Sequence, residues 1–143
     1  MTTTATRTDA GHLSLGVAIT IPAVFFFLVL LIMAGRLATA NGAVQAAAAE
    51  AARAASISRT APTAQAAAEA AATTTLGSSD LECATSSVVA DLSGFSAPLG
   101  QDAQVTVTVT CTVPLSELTV LGQGDRTITA TATSVLDPYR SRQ

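Results

Sequence analysis

Three regimes of hydrophobic patterning follow one another along the chain. The first is an unbroken apolar run, Leu13 to Ala34 (LSLGVAITIPAVFFFLVLLIMA), with no charged residue in its twenty-two positions. A helix of that length covers roughly 33 Å, enough for a bilayer core of about 30 Å. Pro22 lies inside the run, removes one backbone hydrogen bond and predicts a bend there. The residues ahead of the run, MTTTATRTDAG, are polar and rich in Thr, too poor in apolar residues to fold alone.

The second regime is alanine. Ala43 to Ala55 reads AVQAAAAEAARAA, nearly all strong helix formers. Gly35 and Asn41–Gly42 are weak points, but neither is a stop. A helix unbroken from Leu13 to about Ile57 would be roughly 67 Å long. Ala47, Ala51 and Ala55 form a stripe of small residues suited to close helix approach, and Glu50 with Arg53 forms a compatible surface pair. The alternative is a solvent-exposed alanine spacer. Ser58 to Pro62 then breaks the helix, with Thr60 as an N-cap and Pro62 in the first turn of a second helix, Thr63 to Leu76, ended by Gly77.

The third regime has a period of two. Gln104 to Val113 (QVTVTVTCTV) puts Val105, Val107, Val109, Cys111 and Val113 on one face and threonines on the other. Arg126 to Val135 repeats the alternation with Ile128, Ala130 and Ala132 inward, and Ser87 to Leu92 is a weaker third strand. Pro98 and Gly100 mark one loop, and Pro114 with Gly122–Gly124 marks the next. The expected fold is α+β: a single-pass N-terminal transmembrane helix continuing into an Ala-rich helix, a second short helix, and a small three-stranded antiparallel sheet. The divisions are residues 1–11 (leader), 12–34 (transmembrane helix), 35–77 (helical stalk and second helix), 78–137 (β-domain) and 138–143 (polar tail).

Composition narrows what such a chain can do. Of five rings in 143 residues, Phe25, Phe26 and Phe27 fall in the apolar run, leaving Phe95 and Tyr139 for a soluble core. So small a Val/Ala/Thr core calls for a staple or for neighbouring subunits. Cys83 and Cys111, in a chain with an export-type segment, predict a disulfide tying the helix exit to the middle strand. In the chain-entropy model that closure contributes on the order of 3–4 kcal/mol. Two buried thiols remain the alternative if this part faces the cytosol. All seven basic residues are Arg, and from Asn41 onward five of them face nine acids. That acidic balance excludes a nucleic-acid partner.

No catalytic constellation emerges. The one histidine, His12, sits at the membrane boundary, so no base is available for a nucleophile in the β-domain. Two cysteines without histidine make no zinc site, and no helix start follows Gly122-Gln-Gly124 to receive phosphate. The expectation is a protein that is not an enzyme and carries no cofactor. Processing remains. Ala38-Thr39-Ala40 has the small residues of a signal-peptidase site, although the apolar run exceeds a usual signal core. Gly11, at the junction of leader and run, is the second candidate.

A polar leader ending in Gly11, a short apolar lead-in, Pro22, an Ala-rich helix and a small β-domain together resemble the TadE-like proteins. These are minor pilins or pseudopilins of the tight-adherence (Tad/Flp, type IVb) pilus system. The tail, TVTVTCTVPLSEL followed by RTITATATSVLDPYR, resembles the actinobacterial branch of that family. The resemblance implies cleavage by a prepilin peptidase between Gly11 and His12, residence in membrane lipid, and partners among other pilins or Tad assembly-platform proteins. It also implies a cytoplasmic N-terminus and an extracytoplasmic β-domain; Arg7 and Arg36 alone leave the positive-inside count near a tie. The family places Glu five residues past the cleavage site, where this chain has Gly16, and Pro22 keeps the register. Two further readings stay open: a membrane-tethered scaffold or binding domain never incorporated into filaments, and a module released after Ala40.

Overall fold

The computed structural model describes residues 10–79, 81–98, 100–114 and 124–139, with side chains from Gly16 onward. The chain is α+β. Helix α1 spans Ala10–Ser56 and α2 spans Ala61–Ser78; strands β1 (Thr85–Asp91), β2 (Ala103–Pro114) and β3 (Asp125–Leu136) follow, with a short 3-10 turn, Ser93–Ser96, between β1 and β2. Contacts divide the chain into two compact units, Met1–Gly35 and Arg36–Gln143.

Helix α1 begins at Ala10, three residues ahead of the apolar run, and passes through Pro22, Gly35 and Asn41–Gly42 as one element. At Asn41 the side-chain amide donates to the Leu37 carbonyl at 2.8 Å, so the residue supports the helix instead of ending it. Helix α2 starts where its capping residues dictate. The Thr63 amide donates to Thr60 Oγ1 and the Thr60 amide to Thr63 Oγ1, each at 3.3 Å, and Pro62 sits in the first turn. This reciprocal pair satisfies two of the amide donors a helix start leaves free. At the other end Gly77 does not stop the helix, which continues to Ser78. The amide and hydroxyl of Ser79 both donate to the Leu76 carbonyl and close the last turn.

The sheet is antiparallel in the order β1-β2-β3. Its register is constant from end to end, from Thr85↔Thr112 to Asp91↔Thr106 on one side and from Ala103↔Leu136 to Pro114↔Asp125 on the other. Strand β1 thus begins two residues earlier than the alternation suggests, because Thr85 and Ser86 still find partners on β2. It ends at Asp91, one residue short of Leu92, where the chain enters the turn.

One sheet face is closed. Val105, Val107, Val109, Cys111 and Val113 are fully buried, with Val88, Ala90, Ile128 and Ala130 beside them in register. The same cluster takes in Ala40, Val44, Ala47, Ala48, Ala51, Ala52 and Ala55 of α1 and Ala64, Ala68, Ala72 and Leu76 of α2. The alanine stripe is therefore core, and the exposed-spacer alternative does not describe it. Small side chains pack without voids, so a modest number of Val and Ala residues closes a core almost without rings. Ser134 Oγ donates to Ser56 Oγ at 3.0 Å, and Gln65 Nε2 to the Val88 carbonyl at 3.3 Å, fixing each helix to one edge strand.

Candidate functional site

Two places carry the sequence's candidate residues. In the first unit, the apolar side chains of α1 are exposed: Phe25, Phe26 and Phe27 at 60–68%, and Val17, Ile19, Ile21 and Leu28 at half or more. A contiguous apolar surface of that kind marks a membrane or protein interaction site. By length and composition this is a helix able to cross a membrane, and none of its most apolar window is buried.

Gly16 and Pro22 lie within it, six residues or about 1.7 turns apart. The Thr20 hydroxyl donates to the Gly16 carbonyl at 2.7 Å. Pro22 has no N–H, which leaves the Ala18 carbonyl without its helical donor. An open apolar depression lined by Thr20, Ile21, Val24, Phe25 and Leu28 runs beside it. A Cβ built on Gly16 meets nothing within 4 Å. Gly11 and His12 fall within α1, and their side chains lie outside the described residues, as do residues 1–9 and 140–143.

The second place is the disulfide-bearing end of the sheet. Cys83, half-buried just before β1, bonds to Cys111 on the inward face of β2 with Cα atoms 5.4 Å apart. The expected pairing is thus formed, and no described cysteine is free. Cys111 sits between Ser86 and Ile128 in the ladder, so the bridge enters the core from its edge. At the opposite end of β1, the Ser93 amide donates to the Asp91 carboxylate at 3.0 Å, and the Ser93 hydroxyl supports the same group. Together they hold the Asp91 carboxyl below its ordinary range. The turn that follows brings Gly94 against the backbone of Gln104, where any Cβ would collide with the carbonyl oxygen.

The outer sheet face is a ladder of hydroxyls. Thr106 pairs with Thr133 and Thr108 with Thr131 at 3.1 Å, and Thr110 with Thr129 and Thr112 with Thr127 at 3.4 Å. The alternation in the sequence foretold the face but not the cross-strand pairing, which depends on register. Gly94's close approach and the Ser56–Ser134 bond also left no sequence signal beyond residue type. Ala38, Thr39 and Ala40 lie inside α1, with Ala40 buried at 3% exposure. Among the described residues, no three of His, Cys, Asp and Glu gather around one point that could hold an ion. Compared with family models, curated proteins and solved structures, the chain finds no match in any of the three.

Proposed function

We propose that this chain is a non-enzymatic, TadE-like minor pilin or pseudopilin that assists assembly of a Tad/Flp-type pilus or a related surface appendage. In this reading the apolar part of α1 spans the membrane, the N-terminus is cytoplasmic and the disulfide-stapled sheet lies outside the cell. Its partners are membrane lipid, other pilins or assembly-platform proteins, and a prepilin peptidase that cuts between Gly11 and His12. The observation that carries the reading is the make-up of α1. One helix holds an exposed apolar segment with a proline in the pilin register and, further on, the alanines that close the core of a small sheet domain. The disulfide supports an oxidising location for that domain.

The test is intact-mass and N-terminal analysis of the protein from cells with and without a prepilin peptidase. A mature chain beginning at His12 only when the peptidase is present supports the reading. A chain that keeps its leader uncut at Gly11 in both strains removes it.

Gly16 favours a second reading, a membrane-tethered extracytoplasmic scaffold or binding domain that never leaves the bilayer. A carboxylate within lipid is costly unless a partner neutralises it, and a glycine there demands no such partner. On this reading Gly16→Glu leaves the protein absent from sheared filaments, whereas a pilin role predicts more of it there. Release after Ala40 fares worst, since Ala40 is buried in the core of the sheet domain and cutting there would remove that part of the core.

A further inference from the structure

The two edges of the sheet are unequal. Strand β1 is seven residues long, carries the Asp91 carboxylate on its outer face and turns at once into the segment where Gly94 packs against Gln104. Strand β3 is twelve residues long and pairs with β2 without a single bulge. It contains no proline, and its only charges, Asp125 and Arg126, sit at its first two positions. Among the described residues, no backbone hydrogen bond other than those of the β2 ladder reaches residues 125–136. A long, regular, uncharged edge is a template for another strand, and proteins that must avoid pairing there interrupt it with lysine, proline or a bulge. Strand β3 uses none of these.

We infer that the open edge of β3 pairs with β3 of a second copy of this chain, joining two three-stranded sheets into one of six. The occupant follows from the size of the contact and the nature of the chain. One strand edge offers less than the roughly 1,200 Å² that a stable complex in solution buries. Such a contact forms only with a strand already held close by, and a copy confined to the same bilayer by its own apolar helix has that high effective concentration. Using the same edge twice also closes the assembly as a dimer and leaves no further edge of this kind exposed. The inference rests on the membrane placement proposed above, but on no pilus role.

The test uses the full chain, labelled at its C-terminal residue with donor or acceptor dyes and reconstituted together into phospholipid vesicles. Flotation of the vesicles reports membrane insertion, and energy transfer as a function of surface density reports pairing. Thr129→Lys/Thr131→Lys places exposed lysines on the edge strand, where two copies would oppose them. Thr108→Lys/Thr110→Lys puts the same charges on the same face one strand inward. Retention of the Cys83–Cys111 disulfide and of the sheet's circular dichroism shows that each variant folds. The edge variant is expected to need roughly tenfold or more higher surface density for the same transfer, while the inner variant stays near the parent. Equal loss in both variants, no loss in either, or no transfer beyond random proximity in the parent would overturn the edge pairing while leaving the membrane reading intact. A chain that fails to float overturns both.

Discussion

Removing the Cys83–Cys111 bridge tests the energetic logic of the sheet domain most directly. The two residues are 28 positions apart. Confining a loop of that length in the unfolded chain gives about 3.6 kcal/mol at 25 °C in the chain-entropy model. A domain of this size has a total stability on the order of 5–15 kcal/mol, so the bridge is a quarter or more of it. Cys83→Ala/Cys111→Ala adds a small packing loss at Cys111, which is fully buried. With a urea slope of about 1–3 kcal/mol per molar, the midpoint should fall by roughly 2 M. The assay is urea unfolding of the full chain in a mild detergent, followed by circular dichroism in the sheet region. The parent is measured oxidised and fully reduced, alongside the double variant. Reduced parent and double variant should unfold at nearly the same midpoint, both well below the oxidised parent. A shift below about 0.5 M in both would refute the loop-closure argument. A large loss in the variant alone would assign the stability to packing around Cys111 instead of to the covalent tie.

Three other outcomes follow from the geometry. Gly94→Ala forces a methyl group into the Gln104 backbone and should cost about 2 kcal/mol or more, read as a lowered thermal midpoint, whereas Gly77→Ala, where a Cβ meets nothing, should be neutral or slightly stabilising. Ala51→Leu overfills a fully buried helix position and should cost roughly 1–3 kcal/mol in urea unfolding, while Ala49→Leu, exposed two residues away, should change little. Asp91 has its folded pKa depressed by Ser93, so its contribution is present above the unfolded value and lost as pH falls through 3.8 toward the folded value. Thermal midpoints of the parent and Asp91→Asn should therefore converge as pH drops from about 5 to about 3; curves that stay parallel would refute that role.

Elements whose polarity alternates were legible in the sequence. Strand β2 announces itself because Val and Thr differ in hydrophobicity at every step, and the start of α2 because Thr60 and Pro62 each have a local reason to be there. Alanine hides what these residues reveal. In α1 Ala46 and Ala49 are exposed while Ala47 and Ala48 are buried, and in α2 Ala66 and Ala70 are exposed between Ala64, Ala68 and Ala72. A residue equally at home on both faces cannot say which face meets the sheet. The stop at Gly77 was misread because an isolated glycine is compatible with a helix interior, and the terminating bonds come from Ser79. The cysteine pairing was readable from two cysteines and an export-type segment. The collision that fixes Gly94 comes from a non-local approach to Gln104 that no local pattern encodes.

The outer ladder of Thr–Thr pairs has one more consequence. Across β2 and β3 it is wetted through hydroxyl groups: between Thr106–Thr133 and Thr112–Thr127 no ionised side chain stands on either paired strand, and Asp91 of β1 lies at its margin. Most proteins keep an exposed sheet face soluble with charges, whose attraction and repulsion weaken as salt shortens the Debye length from about 30 Å at 0.01 M to about 3 Å at 1 M. This face has almost nothing to screen. The paired stretch of this face would hold the same surface properties at low salt, at high salt and in acid.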